Sequence, residues 1–451
     1  MSMYNTSVLT WLQTILKERF DQNFRLSSGQ NSLEVHVEGN ASYIKVSGAS
    51  NIFKQDVLDL PCTKYYLPEE WDPLKIKYLV APGVDKTTES LVEKTDFGYL
   101  INYNLFSLAY WMLSRKEEVD GAGLDEFDRF PATSSHAYRH GYLERPVVDE
   151  WFELLRSVIL RTWPNLYIKK NEFRTLVSHD VDSPSRYAFS PLQQLPRAVL
   201  RDFIKHRTPT SPFFGPFIYA FTKARLLKID PLNNFDWIMD VSERNNIRSA
   251  FYFICGRTDS ARDGQYEIEH PAIRYLLKNI YQRGHEIGLH PSFNTYLCPE
   301  LIAKEAARLR SVCAEEHIEQ ATWGGRMHYL RWKHPITLHG WEQASFNYDS
   351  TLGYADLPGF RCGTCFEYPA FDPVLEKPLN LRIRPLIAME SSIIASRYLG
   401  LGVGEESFRK FKELKSVCQR VGGSFTLLWH NSELVDPKMR RLYESVLSFQ
   451  P

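Results

Sequence analysis

The chain lacks an excess of charge of either sign, since 54 Lys and Arg residues stand against 54 Asp and Glu residues in a length of 451. This balance gives no indication of a nucleic-acid or anionic-membrane partner, although a neutral total can hide a local patch. A long uninterrupted apolar run is also missing. The most apolar stretch, residues 99–113, contains Asn102 and Asn104 and is shorter than a membrane span. We therefore expect a buried helix there.

Cysteine is scarce, and the seven cysteines are scattered and odd in number. That distribution argues against a disulfide framework and for a reducing compartment. The close pair Cys362 and Cys365 lacks the second pair that a zinc ribbon needs. A charged segment followed by an apolar run is absent from the N-terminus, so no signal peptide is predicted. We expect a soluble cytoplasmic protein without a membrane span.

The length of 451 residues exceeds the size at which one hydrophobic core usually stops growing, so two domains are expected. The pattern changes just before Leu176, from mixed strands and helices to a regular alternation of strand and helix. Residues 1–170 are predicted to form an N-terminal α/β domain of unknown role. Residues 171–451 are predicted to form repeated βα units, as in a parallel barrel or an open doubly wound sheet.

Hydrophobic periodicity and turn residues locate the main elements. In the first part, strands are predicted at 32–37, 43–46 and 76–82, and helices around 8–16 and 147–160. In the second part, strands are predicted at 176–182, 250–255, 286–289 and 424–429, and helices at 235–244, 271–283, 300–313 and 408–421. The Pro-rich stretch 207–216 is predicted to be a long loop or excursion.

Three of the predicted strands end in acids or histidines. Asp180 and Asp182 end the first, His290 follows the strand after Gly284, and His430 ends the last. Side chains alternate along a strand, so Asp180 and Asp182 share one face. Groups collected from several strand ends are how α/β barrels assemble metal and acid–base sites. Three such endings in one half of the chain indicate metal-assisted hydrolysis.

The segments that carry these residues contain the motifs of a known family, in the family's order. The segments are 178–183, 284–294 and 427–431. Residues 175–435 resemble the polysaccharide deacetylases of carbohydrate esterase family 4. The resemblance implies a distorted (β/α) barrel that removes an acyl group from a sugar with a divalent metal, often zinc. It also implies that Asp180 is the general base and Asp182 a metal ligand.

Two histidines four residues apart complete the metal site that the resemblance implies. His290 occupies the first position, but Asn294 occupies the second. An amide oxygen is a poorer zinc ligand than an imidazole. We expect Asn294 to be the third ligand beside Asp182 and His290, with weaker and less zinc-selective binding as the consequence. His328 is the alternative third ligand, because it lies close to the next motif and offers an imidazole.

The resemblance also assigns the other site residues. Arg326 lies where the family has an arginine that orients the base, and His430 lies where the family has its general acid. Asp349 and Tyr354 lie in a segment, 347–354, that resembles one lining the family's cleft, and Arg361 follows it. We expect these last three residues to bind the substrate.

The whole chain resembles a subgroup of bacterial deacetylase-like proteins that carry an extra N-terminal domain of unknown role. The resemblance implies a hydrolase that removes an N-acetyl or other acyl group from a nucleotide-linked or lipid-linked sugar, in surface-polysaccharide or O-antigen biosynthesis. One alternative is a catalytically weak or inactive deacetylase-like protein that binds a glycan or a partner, which Asn294 supports. Another is a different amidohydrolase on the same fold, which would differ only in the acyl group.

Overall fold

The computed structural model describes residues 5–29, 32–47, 60–85, 90–119, 121, 123–204 and 210–451. Contacts within the chain divide it into two compact units. Unit 1 comprises Met1–Arg174, Leu352–Ile387 and Glu413–Phe425, and unit 2 comprises Thr175–Thr351, Ala388–Lys412 and Thr426–Pro451. The first change of unit, after Arg174, lies close to the boundary predicted near residue 170. The two later segments of unit 1 were not anticipated, and the assignment of two domains at that boundary stays a prediction.

The elements are numbered in chain order. The strands are β1 Phe24–Ser28, β2 Ser32–Val37, β3 Tyr43–Ser47, β4 Cys62–Tyr66, β5 Tyr78–Pro82, β6 Val92–Thr95, β7 Gly98–Ile101, β8 Arg174–Val181, β9 Ala250–Phe253, β10 Glu286–Leu289, β11 Gly324–Gly325, β12 Tyr348–Asp349, β13 Tyr368–Asp372, β14 Lys377–Ile383, β15 Ala388–Met389 and β16 Ser424–Leu428. The α-helices are α1 Thr6–Phe20, α2 Leu105–Leu113, α3 His136–Arg139, α4 Val147–Thr162, α5 Leu195–Ile204, α6 Ser211–Phe221, α7 Phe235–Arg244, α8 Pro271–Gln282, α9 Pro299–Glu315, α10 Ile336–Gln343, α11 Glu390–Ile394, α12 Glu405–Arg420 and α13 Pro437–Ser448.

Unit 1 contains a five-stranded sheet in the order β1-β2-β3-β7-β6, in which only β3 and β7 run parallel among the pairs of its described strands. Helix α1 begins after Asn5, whose side chain accepts a hydrogen bond from the Val8 N–H at 2.9 Å. The apolar stripe of α1, formed by Val8, Leu12, Ile15 and Leu16, is buried as its helical spacing predicts. The antiparallel pairs β4–β5 and β13–β14 also belong to this unit.

Unit 2 contains seven strands in the order β12-β11-β10-β9-β8-β16-β15. The pairs from β8 to β12 and the pair β15–β16 are parallel. The connecting helices bury apolar stripes, and in α8 Ile273, Leu277 and Ile280 are fully buried at helical spacing. The predicted α/β class with repeated βα units is confirmed. A mainly parallel sheet flanked by helices fits the predicted distorted (β/α) barrel and brings the carboxyl ends of its strands to one edge.

For the stretch 207–216, a loop is wrong from Ser211 onward, because helix α6 begins there. The alternative, an excursion, agrees with its place in the long connection between β8 and α7. Residues 205–209 lie outside the described part of the chain. Pro212 lies in the first turn of α6, where a missing N–H costs nothing. The apolar stretch 99–113 is divided between β7 and α2, so only its second half is helical. Among the described residues, no helix is both long and apolar enough to cross a bilayer.

Candidate active site

The carboxylate of Asp180, near the carboxyl end of β8, lies beside a buried arginine. Asp180 is 2% exposed, and its Oδ1 accepts a hydrogen bond from Arg326 Nη1 at 2.8 Å. Arg326 donates from Nε to the Ser350 carbonyl at 3.0 Å and from Nη2 to Ser350 Oγ at 3.1 Å. A guanidinium held on two sides fixes the orientation of the Asp180 carboxylate.

Alternation along β8 sends the neighbouring histidine to the opposite face. His179 Nδ1 donates to the Trp429 carbonyl at 2.7 Å, and its Nε2 lies 3.3 Å from the Tyr443 hydroxyl. His179 is fully buried in the layer behind the sheet. Asp180 and Asp182 therefore share the face that the strand pattern predicts.

Asp182, His290 and His328 form a cluster that can hold a cation. One ligand atom from each lies within 4.8 Å of the other two. Asp182 Oδ1 is 3.3 Å from His290 Nε2 and 3.6 Å from His328 Nε2. In the described part of the chain, this Oδ1 is buried and accepts no hydrogen bond. A buried carboxylate oxygen without a donor calls for a positive partner.

The far nitrogen of each imidazole has its own acceptor. His290 Nδ1 donates to the Arg326 carbonyl at 2.6 Å, and His328 Nδ1 donates to Asp263 Oδ1 at 3.0 Å. With the proton on Nδ1, each ring presents the lone pair of Nε2 toward Asp182. Lone pairs that converge on a carboxylate repel one another unless a cation lies between them. These residues therefore fit a divalent metal, and two imidazoles with one carboxylate suit zinc.

The pKa shifts of Asp182 and His290 also indicate that this cluster favours positive charge. Burial raises the pKa of the Asp182 carboxyl, but His328, His290 and His430 outweigh that effect and hold the pKa well below its usual range. Burial lowers the pKa of His290, but the carboxylates of Asp180 and Asp182 outweigh it, so that the pKa is raised. Both directions reflect attraction between the carboxylates and the imidazoles in their protonated form, and a bound cation would supply the same positive charge to neutral rings.

Asn294, the third ligand expected from the sequence, is engaged with other partners. Its Nδ2 donates to the Thr258 carbonyl at 3.1 Å, and its Oδ1 accepts from Arg331 Nη1 at 3.1 Å. An amide oxygen that already faces a guanidinium is poorly placed to bind a second cation. The geometry therefore favours the alternative, His328.

His430, just after β16, is held by a buried acid. Its Nδ1 donates to Glu390 Oε1 at 2.6 Å, and its Nε2 lies 3.9 Å from Asp182 Oδ2. Burial lowers the pKa of His430, but the carboxylates of Glu390, Asp182 and Asp180 outweigh it and raise the pKa to about 10. This direction favours the protonated imidazole, which is the state that a general acid needs.

Asp349, at the end of β12, is fully buried. Its Oδ1 accepts hydrogen bonds from the Thr351 N–H at 2.8 Å and from the Thr351 hydroxyl. Thr351 Oγ1 in turn accepts from the Met327 N–H at 3.0 Å, between Arg326 and His328. Asp349 therefore braces the segment that carries two site residues, and its expected contact with substrate stays a prediction.

Tyr354 and Arg361 belong to unit 1, where both are buried. Arg361 donates from Nε and Nη2 to the carboxylate of Glu118 at 2.8 and 2.5 Å, and from Nη1 to the Gly353 carbonyl at 2.8 Å. Glu118 also pairs with Arg115 at 2.8 Å. These contacts explain a structural role for Arg361, while substrate binding by Tyr354 and Arg361 stays a prediction.

Two buried acids that shape the site were missed by reasoning from the sequence. Asp263, which holds His328, lies in a loop after β9, and no motif marks it. Glu390, which holds His430, directly follows the apolar strand β15. A polar side chain at the end of an apolar run is the signal that identified Asp180, and it could have identified Glu390 as well.

Comparisons with known proteins address the two parts of the chain separately. A family model described as "Family of unknown function (DUF7033)" matches residues 4–164. The chain is similar to a solved structure described as a polysaccharide deacetylase from Mycobacterium smegmatis, with 15% identity over 62% of this chain and 84% of that chain and a TM-score of 0.37. It is similar to another described in the same way from Pseudomonas aeruginosa PAO1, with 14% identity over 61% of this chain and 84% of that chain and a TM-score of 0.35. It is also similar to a solved structure of a PuuE allantoinase, with 13% identity over 63% of this chain and 85% of that chain and a TM-score of 0.35. No curated protein matches the chain.

Proposed function

We propose that the protein is a metal-dependent hydrolase that removes an acyl group, foremost N-acetyl, from a sugar. The observation that carries the proposal is the convergence of Asp182, His290 and His328 between a carboxylate, Asp180, and a protonated imidazole, His430. Ligands for a cation, a base and an acid around one point are the groups that amide and ester hydrolysis requires.

The proposed ligand set is Asp182, His290 and His328, with zinc as the metal that suits these atoms best. A cation bound there supplies polarisation of the acyl carbonyl and acidification of water. Asp263 and the Arg326 carbonyl hold the two rings in the tautomer that a ligand needs.

Asp180 is the proposed general base. Arg326 holds its Oδ1, and its Oδ2, 3.7 Å from His290 Nε2, accepts a proton from the attacking water. His430 is the proposed general acid and gives the proton on Nε2 to the leaving nitrogen or oxygen. Glu390 orients the ring and stabilises its positive charge until that transfer.

The proposed substrate is a nucleotide-linked or lipid-linked sugar, handled in the cytoplasm during surface-polysaccharide or O-antigen biosynthesis. The motif resemblance over residues 175–435 supports this finer assignment. The alternative, a deacetylase-like protein that binds without turnover, depended on Asn294 as a failed ligand. His328 offers an imidazole in its place, so the alternative loses its main support.

Metal analysis combined with acetate release tests the proposal. The purified protein should contain about one zinc or similar ion per chain, and it should release acetate from some members of a panel of N- and O-acetylated nucleotide sugars. Chelation should abolish the release, and added zinc should restore it. Full metal occupancy without acetate release, combined with tight glycan binding, would instead support the binding protein.

A further inference from the structure

The segment 184–231 connects β8 to α7 within unit 2, and its two ends are held together. Asp230 accepts hydrogen bonds from the Ser185 hydroxyl and from the Arg186 N–H, the latter at 3.0 Å. Asn431, the residue after His430, donates from Nδ2 to the Ser183 carbonyl at 3.1 Å and to the Leu232 carbonyl at 3.2 Å. The two ends of the segment are therefore held together next to His430 of the candidate site.

Helices α5 and α6 form a hairpin within this segment and have a small core of their own. Tyr187, Leu195 and Ile218 are buried together in it. A Cβ on Gly215 would lie 2.6 Å from a methyl carbon of Val199, so a glycine is needed where the two helices approach. The buried side chains between the two helices therefore stabilise the hairpin.

The outer side of the hairpin is apolar and exposed. Of the nineteen large apolar side chains that are exposed in the described part of the chain, eight lie between residues 192 and 221. This apolar face consists of Leu192, Leu200, Phe203, Ile204, Phe213, Phe214, Phe217 and Phe221. Phe213 is 80% exposed, and the rings of Phe217 and Phe221 stack at 4.5 Å. A concentration of this kind marks an interaction surface rather than ordinary surface scatter.

Basic side chains lie on α5 and shortly after α6, next to the apolar residues in the sequence. They are Arg197, Arg201, Lys223, Arg225 and Lys228, all exposed, whereas α6 itself carries no charge. The acid in α5, Asp202, is buried and pairs with Arg186 at 2.7 Å and, at the longer distance of 3.8 Å, with Arg201. An apolar, Phe-rich face with cations next to it in the sequence is complementary to a bilayer surface with anionic headgroups.

We propose that the α5–α6 hairpin inserts its apolar face into the interface of a bilayer that contains anionic lipid, and that the protein binds this membrane without crossing it. Membrane binding does not depend on hydrolysis. A lipid-linked glycan is the substrate class that such a surface would bring to the site, and this part of the inference rests on the proposed function.

Flotation with vesicles of phosphatidylcholine, with and without phosphatidylglycerol, tests the proposal on the full chain. The protein should float with the mixed vesicles and bind those of phosphatidylcholine alone much more weakly. Phe213→Ser combined with Phe217→Ser should weaken binding at least about tenfold. The matched control, Val374→Ser combined with Leu375→Ser, also removes two exposed apolar side chains and should bind normally.

The contribution of the basic side chains to membrane binding is tested separately. Arg197→Gln combined with Arg201→Gln should weaken binding to the mixed vesicles roughly thirtyfold, since each cation near the surface contributes about a factor of five. Lys304→Gln combined with Lys438→Gln removes two exposed cations elsewhere and should have no effect. Added salt should weaken binding of the native chain and have less effect on the arginine variant.

Three results would overturn the proposal. They are no flotation with phosphatidylglycerol vesicles, equal losses in the hairpin and control variants, or a phenylalanine variant that changes only the oligomeric state in light scattering. The last result would assign the face to contacts between copies of the chain. Asp180→Asn should bind vesicles normally, and the hairpin variants should keep their activity on a water-soluble acetylated sugar. These two measurements separate a failure of the membrane proposal from a failure of the proposed hydrolysis.

Discussion

At the scale of single residues, the sequence and the structure favour different third metal ligands: Asn294 was expected from the sequence, whereas the geometry favours His328. His328→Ala should lower metal occupancy strongly, because it removes one of the three ligand atoms of the cluster of Asp182, His290 and His328. Asn294→Ala is the matched control and should leave occupancy unchanged, since the Asn294 amide binds Thr258 and Arg331. Metal content per chain, measured by mass spectrometry for both variants, shows which of His328 and Asn294 is the ligand. Metal loss in the asparagine variant alone would restore the ligand expected from the sequence.

The carboxylates of Asp180 and Asp182, at the end of β8 and just after it, should also behave differently. Asp180→Asn should keep the metal and reduce turnover by about 10²–10⁴-fold, the usual contribution of a general base. Asp182→Asn should lose both metal and turnover, because Asp182 Oδ1 is the shared partner of His290 and His328. Metal content and acetate release are measured on the same preparations. Equal metal loss in both variants would contradict this division of roles.

Glu390 should set the pH range in which His430 can act. The raised pKa of His430, about 10, keeps the ring protonated at neutral pH, and the proton is lost only as the pH rises through that value. Glu390→Gln removes the largest favourable charge, so the alkaline limb of the kcat–pH profile should move to lower pH. Glu444→Gln, which removes the exposed partner of Arg244 on α13, is the control. An unmoved alkaline limb would show that His430 is not the acid under observation.

The residues that could be predicted from the sequence are those at the ends of apolar runs. Asp180, Asp182, His290 and His430 meet in one place because parallel strands present their carboxyl ends at one edge. The choice between His328 and Asn294 could not be made, because it depends on the hydrogen bonds that Asn294 makes with Arg331 and Thr258 and that His328 makes with Asp263. Those partners come from loops whose conformation no local pattern specifies.

At the scale of elements, the short strand β11 depends on having no side chain. A Cβ on Gly324 would lie 1.8 Å from the ring of Tyr348, whose hydroxyl donates to Glu286 and lies 2.9 Å from the Tyr252 hydroxyl. Gly324→Ala should therefore lower the free energy of unfolding by about 1–3 kcal/mol, as overpacking does. Because Arg326 follows two residues later, activity should fall as well.

Urea unfolding measures the effect of Gly324→Ala, and Gly121→Ala is its control. The Cβ of the control variant would meet its nearest atom at 3.4 Å, an ordinary contact distance, so its stability should be unchanged or slightly higher. If Gly324→Ala were as stable as the native chain, the tyrosine would have to move freely, contrary to its buried hydrogen bonds.

Most elements could be predicted because their periodicity and their tertiary burial agree. The helix at 235–244 and the strand at 286–289 have the predicted bounds. Helix α6 was missed because the stretch 207–216 was interpreted from its prolines. In the structure, Pro212 lies where a helix tolerates proline, and Gly215 provides the space for Val199. A tertiary contact here outweighs local propensity.

At the scale of the whole molecule, unit 1 contains a buried charge network that needs all its members. Burial raises the pKa of Glu118, but Arg361 and Arg115 outweigh it and lower the pKa to about 2. The stability that Glu118 contributes is present at neutral pH and should be lost as the pH falls from about 4.5 toward about 2. Arg361→Gln should destabilise unit 1 by about 3–5 kcal/mol, because it breaks a buried ion pair.

The variant Arg361→Gln also tests substrate binding by this residue. If its role is structural, the Tm falls while KM for an acylated sugar is unchanged in the folded fraction. Arg382→Gln, in a half-exposed ion pair with Glu367, is the control and should cost no more than about 1 kcal/mol. A raised KM at unchanged Tm would instead support the expected contact with substrate.

The double hydrogen bond from Asn431 has a consequence for how such a chain can diverge. One amide joins Ser183 and Leu232, the two ends of a segment of almost fifty residues, beside His430. The intervening residues can therefore be lengthened, shortened or replaced while Asp182 and His430 keep their positions. The hairpin can behave as an exchangeable module, through which a lineage could change where the protein acts without altering its chemistry.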